Sequence, residues 1–339
     1  MALKTNLKDI KILLADSDGN LGTVLTDVLQ RMGFKHIQFV RDGASAIKAI
    51  EAERKDILIT EWQMQSVDGM ELTSFIRNSQ NPDIRLLPII MLTARAERQD
   101  VEAARDAGIT EFVVKPYNSR TIFQRIQQVI DNPRGFLVAP QYIGPDRRRR
   151  EADAGGPERR KESPEIISDA RGVEAKEEKP KLIMPDYVLK KRIGSDEPLD
   201  SIITPQLLNE AQQVIDDLKD ESLVWIKKHL EEVEAYFKLL SKVPARDTIE
   251  KLKDSLLAIK SNAGTFGYNA ASEVAQQLYQ FMRFDFSMSD ARHNQILLKH
   301  LQSLKILLGT VAKGETLAKE SQLLNGLRMM VSRFQKKSS

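Results

Sequence analysis

Ile10-Lys11-Ile12-Leu13-Leu14-Ala15-Asp16 is the stretch whose reading decides the fold. Its first six residues are apolar but for one lysine, and the run ends on an acid. That pattern suits a strand buried on both faces. Working outward, Leu21, Leu25, Val28, Leu29 and Met32 recur at helical spacing, and Gly33 supplies a helix stop. Short apolar runs at His36–Val40, Ile57–Thr60, Ile89–Leu92 and Glu111–Val114 read as further strands. Helical stretches separate or follow them: Ala44–Glu53 after the Asp42-Gly43 turn, Met70–Arg77, Glu97–Ala107 before Gly108, and Arg120–Ile130. Five strands alternating with five helices predict a parallel, doubly wound sheet covered on both faces. Such sheets place function at the carboxyl ends of their strands, where the strand order reverses.

Beyond residue 132 the character changes. Prolines, glycines and charges dominate residues 133–203, and residues 144–185 carry no aromatic side chain. That composition predicts a largely disordered linker. It contains Arg147-Arg148-Arg149-Arg150 and Arg159-Arg160-Lys161, but residues 145–181 balance 11 basic with 10 acidic groups. Phosphate binding needs net positive charge, so a self-neutral linker is favoured over a nucleic-acid tail.

From residue 204 to 339 an all-α domain is expected. Thr204-Pro205 supplies an N-cap followed by a first-turn proline. Helical stretches then span Leu223–Leu240, Thr248–Thr265, Ala270–Met282, Ala291–Val311 and Thr316–Phe334. No strand pattern intervenes, which is the signature of a helical bundle.

Composition bounds the chemistry. The 339 residues include no cysteine, which removes disulfides, thiolate catalysis and cysteine metal sites. Histidine is scarce: His36, His229, His293 and His300. All but His36 fall in the helical domain, where they read as solvated helix residues. His293 and His300 lie two turns apart with no neighbours to complete a zinc set. Net charge is +3, from 51 basic and 48 acidic residues, so no global field for nucleic acid is implied. Met1-Ala2-Leu3-Lys4-Thr5-Asn6 has no apolar signal core, and no run approaches the roughly 18–20 apolar residues of a membrane span. A cytoplasmic location is expected.

Chemistry gathers at the predicted strand ends. Asp16, Glu61, Thr93 and Lys115 follow the first, third, fourth and fifth strands, with Met64, Asp68-Gly69, Ala94 and Pro116 around them. On Ile12–Asp16, Glu61-Trp62-Gln63-Met64, Asp68-Gly69, Leu92-Thr93-Ala94 and Val114-Lys115-Pro116, residues 10–131 resemble a response-regulator receiver domain. The resemblance implies that an aspartate ending the third strand takes a phosphoryl group from a histidine kinase. An acid pair after the first strand would hold Mg2+ with it, and the threonine and lysine would contact phosphoryl oxygens. It also implies a switching aromatic, here Phe112, and an output face over about Glu97–Ile130.

This sequence departs from that pattern twice. Glu61 stands at the acceptor position and Ser17 at the second acid of the pair, leaving Asp16, with Asp18 as a substitute. A glutamate carboxylate lies one methylene further out, roughly an ångström, and such misplacement costs about a hundredfold in rate. Three readings of Glu61 follow. It mimics the phosphorylated state by reaching Lys115 and Thr93, it simply abolishes regulation, or it still accepts phosphate.

Leu257-Ala258-Ile259-Lys260-Ser261-Asn262-Ala263-Gly264-Thr265-Phe266-Gly267 resembles the core helix of a histidine phosphotransfer (HPt) domain. Lys260, Ala263 and Gly267 match that helix, and Ser261 replaces a glycine. Leu257 occupies the place of the phosphorylatable histidine, and leucine has no nucleophile. An exposed Leu257 beside Lys260 would suit protein binding.

The expected protein is therefore a non-catalytic, two-component phosphorelay regulator rather than an enzyme, built from a pseudo-receiver and a pseudo-HPt bundle. Its expected partners are receiver, histidine-kinase or phosphotransfer proteins, with intramolecular docking of bundle on receiver as one form. Two alternatives stand beside it: an atypical response regulator still phosphorylated by a histidine kinase, and a DNA-associated regulator acting through the arginine clusters. No cofactor is required. Mg2+ on Asp16 and Glu61 is the ion that the resemblance implies.

Overall fold

The computed structural model describes residues 7–147, 165–167, 179–184, 188–194, 197–243, 245–283, 286–287, 289–311 and 320–335. The chain divides into two compact units. One runs to Val114 and from Ser119 to Val214, and the other takes Lys115–Asn118 and the chain from Ile215.

In the first unit β1 (Lys11–Ala15), β2 (His36–Val40), β3 (Ile57–Glu61), β4 (Ile89–Thr93) and β5 (Glu111–Val114) form a five-stranded sheet in the order β2-β1-β3-β4-β5. Every pairing is parallel, as expected. The helices between them are α1 (Gly19–Arg31), α2 (Gly43–Ala52), α3 (Gly69–Arg77), the short α4 (Pro82–Arg85), α5 (Arg98–Asp106) and α6 (Ser119–Asp131). The capping chemistry is explicit in the sequence. Asp18 accepts from the amides of Asn20 and Leu21, and Asp42 from Ser45. Asp68 and Glu71 exchange hydrogen bonds as a capping box at the start of α3. All five residues of β3 and of β4 are buried, which explains their continuous apolar runs. The one-turn helix α4 went unread because it is only Pro82–Arg85, started by the Asn81 cap.

The expectation of a largely disordered linker over 133–203 fails for the residues described there. β6 (Phe136–Ala139) and β7 (Tyr142–Pro145) make a tight hairpin, joined by β8 (Glu165–Ile167) and β9 (Lys181–Ile183) in a sheet ordered β7-β6-β9-β8. Two short helices follow, α7 (Val188–Ile193) and α8 (Leu199–Ile202). Composition misled because averaging over 71 residues hid two short apolar runs, Phe136–Ala139 and Leu182-Ile183. Phe136, Val138 and Ile183 form their own small core with Leu86 and Ile143. That core rests on Arg77. Its guanidinium lies 5.1 Å over the Phe136 ring and donates to the carbonyls of Gly108, Arg85 and Leu87 at 2.7–2.9 Å. Burial pushes Arg77 down to about 9. Arg148–Arg150 and Arg159-Arg160-Lys161 lie outside the described residues. Arg147 pairs with Asp106 at 2.8 Å and covers the Tyr142 ring.

α9 (Pro205–Asp217) begins at the Thr204 cap. Among its described residues the elements of the second unit after α9 are all helices: α10 (Lys219–Leu240), α11 (Arg246–Thr265), α12 (Asn269–Met282), α13 (Ala291–Val311) and α14 (Glu320–Gln335). α11 packs between α10 and α12, α13 packs on both α12 and α10, and α14 on α12 and α13. α11 stops where the motif places its glycine. Gly267 takes φ +80°, a left-handed conformation open to glycine, and the following Tyr268 amide returns to the Ala263 carbonyl at 2.7 Å. No helix among the described residues is long and apolar enough to cross a membrane.

Candidate functional site

Register alone assembles the four residues singled out at strand ends. Ala15 pairs with Thr60, so Asp16 follows beside Glu61. Glu61 pairs with Leu92, one residue before Thr93, and Thr93 pairs with Val114, one residue before Lys115. The strand order reverses between β1 and β3, so Asp16 and Glu61 flank the switch point. Asp16, Glu61, Thr93 and Lys115 are all at least nine-tenths buried, and Lys115 is only 2% exposed.

The local bonds show how each is held. Glu61 turns its carboxylate back on its own chain, with Oε1 accepting from the Trp62 amide at 2.7 Å. The chain then folds so that the Gly69 amide donates to the Trp62 carbonyl at 2.7 Å. A Cβ at Gly69 would lie 2.2 Å from the Glu61 carbonyl oxygen, so this close approach demands glycine. Thr93 Oγ1 accepts from the Arg95 amide at 3.1 Å, and the Arg95 guanidinium lies 5.6 Å over the Trp62 ring. Phe112 is half-buried and packs against the core cluster that includes Trp62 and Met91.

Asp16 and Glu61, the pair named for Mg2+, each have one carboxylate oxygen engaged by a backbone amide. Asp16 Oδ1 accepts from the Asp18 amide at 2.9 Å, and Asp18 is committed as the cap of α1. Ser17 donates to the Gln63 carbonyl at 3.1 Å, and one Glu61 oxygen is taken by Trp62. Mg2+ requires near-octahedral oxygen ligands. Among the described residues no group of three or more His, Asp or Glu side chains is placed to hold a metal.

In the bundle, Leu257 is 4% exposed and Lys260 7% exposed, so the expected exposed apolar spot is absent. The reason is the position of α11 between α10 and α12: Leu256, Leu257, Ile259, Lys260, Ser261 and Asn262 are all buried, far more than a one-sided stripe. His293 and His300 are buried too, against the expectation of solvated residues. His293 stacks on Phe286 with centroids 5.6 Å apart, and His300 Nδ1 donates to the Ile296 carbonyl at 2.8 Å. Of the bundle's three histidines, His229 alone is partly exposed, 3.1 Å from Glu232.

Sequence reasoning missed Arg95 and Ser119 as parts of the site's frame, and gave Trp62, quoted in the resemblance, no role of its own. Arg95 and Ser119 stand two and four residues after singled-out positions, which is the only signal they carried. Ser119 opens α6, with its Oγ donating to the Leu208 carbonyl at 2.8 Å and its amide to Gln212 Oε1 at 3.0 Å.

With this geometry in place, residues 12–127 match the family model described as the response regulator receiver domain. The N-terminal fold is therefore a receiver domain of two-component signalling, followed by a largely helical region. The chemotaxis protein CheY-3 of Vibrio cholerae is 27% identical over 124 residues, covering 37% of this chain and 94% of that protein. The chemotaxis protein CheY of Pseudomonas aeruginosa is 27% identical over 126 residues, covering 37% of this chain and all of that protein. The solved receiver domain of a Pseudomonas aeruginosa sensor histidine kinase, with a magnesium ion coordinated in its active-site cleft, is 30% identical. It covers 35% of this chain and 95% of that one, with a TM-score of 0.31.

Proposed function

We propose that this protein is a non-catalytic regulator of two-component signalling, in which a receiver that does not relay phosphate and an HPt-like bundle without its histidine act by binding other proteins. The observation that carries the reading is the commitment of Glu61. Its carboxylate is buried, is one methylene too long for an aspartyl acceptor, and is hydrogen-bonded to the amide of its own neighbour. An in-line nucleophile needs a free, correctly placed oxygen and a cation to offset charge. Here one oxygen of Glu61 and one of Asp16 accept from backbone amides, and Asp18 caps α1. Leu257 removes the only nucleophile of the HPt-like motif.

Receiver, histidine-kinase and phosphotransfer proteins are the partners this reading names. Full-length protein incubated with acetyl phosphate and Mg2+ should show no added phosphoryl group by intact mass. A gain of one such group, absent from Glu61→Gln, would overturn the reading in favour of an atypical phosphoacceptor.

A further inference from the structure

Within the first unit, α6 is not left bare. The chain returns to it after the small sheet, and successive residues from Lys190 onward are fastened to the receiver. Arg192 pairs with Asp56, whose side chain is 1% exposed and also accepts from the Lys11 amide at 2.8 Å. Its second nitrogen donates to the Asp9 carbonyl at 3.1 Å. Asp131, the last residue of α6, accepts from the Leu199 amide at 2.8 Å and faces Lys190 at 3.7 Å. At the other end of α6, Ser119 donates to Leu208 and Gln212 of α9, 89 and 93 residues away. Apolar side chains fill the interval: Ile193, Leu199 and Ile203 are 1–2% exposed and Ala211 is fully buried. In contrast Val101 on α5 and Val114 on β5 stay 38% exposed.

We infer that residues 189–194 and 197–214 are a built-in partner of α6, occupying a surface for which an outside protein would have to compete. Three independent kinds of contact support this: the charge pair at Asp131, buried aliphatic side chains, and hydrogen bonds that use the first amide of α6. That amide would otherwise be one of the unsatisfied donors of a helix start. The inference does not depend on whether Glu61 accepts phosphate.

Hydrogen–deuterium exchange on the full chain tests it. In the wild type, amides of 199–214 should exchange as slowly as those of α6. Asp131→Arg removes the acceptor of the Leu199 amide and repels Lys190. It should speed exchange over 189–194 and 197–203 by about tenfold or more, with β1, β3 and β4 unchanged. Ser119→Ala should loosen 205–212, and Ser119→Thr should not. If Asp131→Arg loosens the strands as well, Lys190→Glu at the partly exposed end of the pair decides, with the same local rise expected. Exchange of 189–194 and 197–214 at free-peptide rates in the wild type, or no local change in the variants, would overturn the inference.

Discussion

At Gly69 a single missing methyl group determines whether the acceptor edge can form. The Cβ of any other residue would meet the Glu61 carbonyl at 2.2 Å, a distance backbone atoms cannot yield to cheaply. Gly69→Ala is expected to destabilise the receiver by about 2–3 kcal/mol, read as a lower urea midpoint at unchanged slope. Arg77 sets a comparable limit on the far side of the domain. Removing its guanidinium in Arg77→Ala leaves three carbonyls without their donor, and about 3 kcal/mol or more should be lost by the same measurement. At this scale the sequence was highly legible for Asp16, Glu61, Thr93 and Lys115, because strand ends and register are nearly determined by pattern. It was illegible for the partner of Glu61. Which oxygen turns to the Trp62 amide is a matter of rotamer, and no spacing rule encodes that.

Helices α11 and α13 show how burial changes what an element's residues can do. His300 sits on the inner side of α13, and burial pushes its imidazole below the ordinary histidine value, because a charged ring is disfavoured there. The folded protein thus holds His300 neutral while the unfolded chain protonates it near pH 6.5. The unfolded state therefore binds more protons as pH falls through that value, and stability must drop on the acid side. Chemical denaturation from pH 7.5 down to 5.5 should show this loss, and His300→Leu should flatten it. For α11, the helical period was readable but its burial was not. Periodicity identifies one apolar stripe, whereas a central helix is covered on several sides by neighbours that the sequence does not place. That is why the pattern left Leu257 open between the surface and the bundle core; both it and Lys260 are buried. Gly267, by contrast, was readable because its left-handed backbone leaves few alternatives.

For the molecule as a whole, the change from an α/β to a helical part was legible in the switch of period near residue 204, but the compact units divide between Val214 and Ile215, so most of α9 belongs with the first unit. The segment between them did not, since its order rests on tertiary contacts. Phe136 needs Arg77, Arg192 needs Asp56, and Leu199 needs Asp131, all distant in sequence. The arginine-rich stretch gives a test at this scale. Arg147 is engaged by Asp106 and Tyr142 rather than held free for phosphate. At physiological salt the full-length chain should not retain DNA in a filter or mobility assay. Retention abolished by replacing Arg147–Arg150 with serine would revive the nucleic-acid reading.

The small sheet has a consequence for how the polypeptide could be divided. β7 ends at Pro145 and β8 starts at Glu165, yet both lie in one sheet whose inner strands are β6 and β9. A protease recognition sequence engineered between residues 150 and 160 would split the backbone into two pieces that are woven together on either side of the cut. The halves should co-elute at the size of the intact protein and separate only under denaturant, and two genes encoding them should reconstitute the receiver when expressed together.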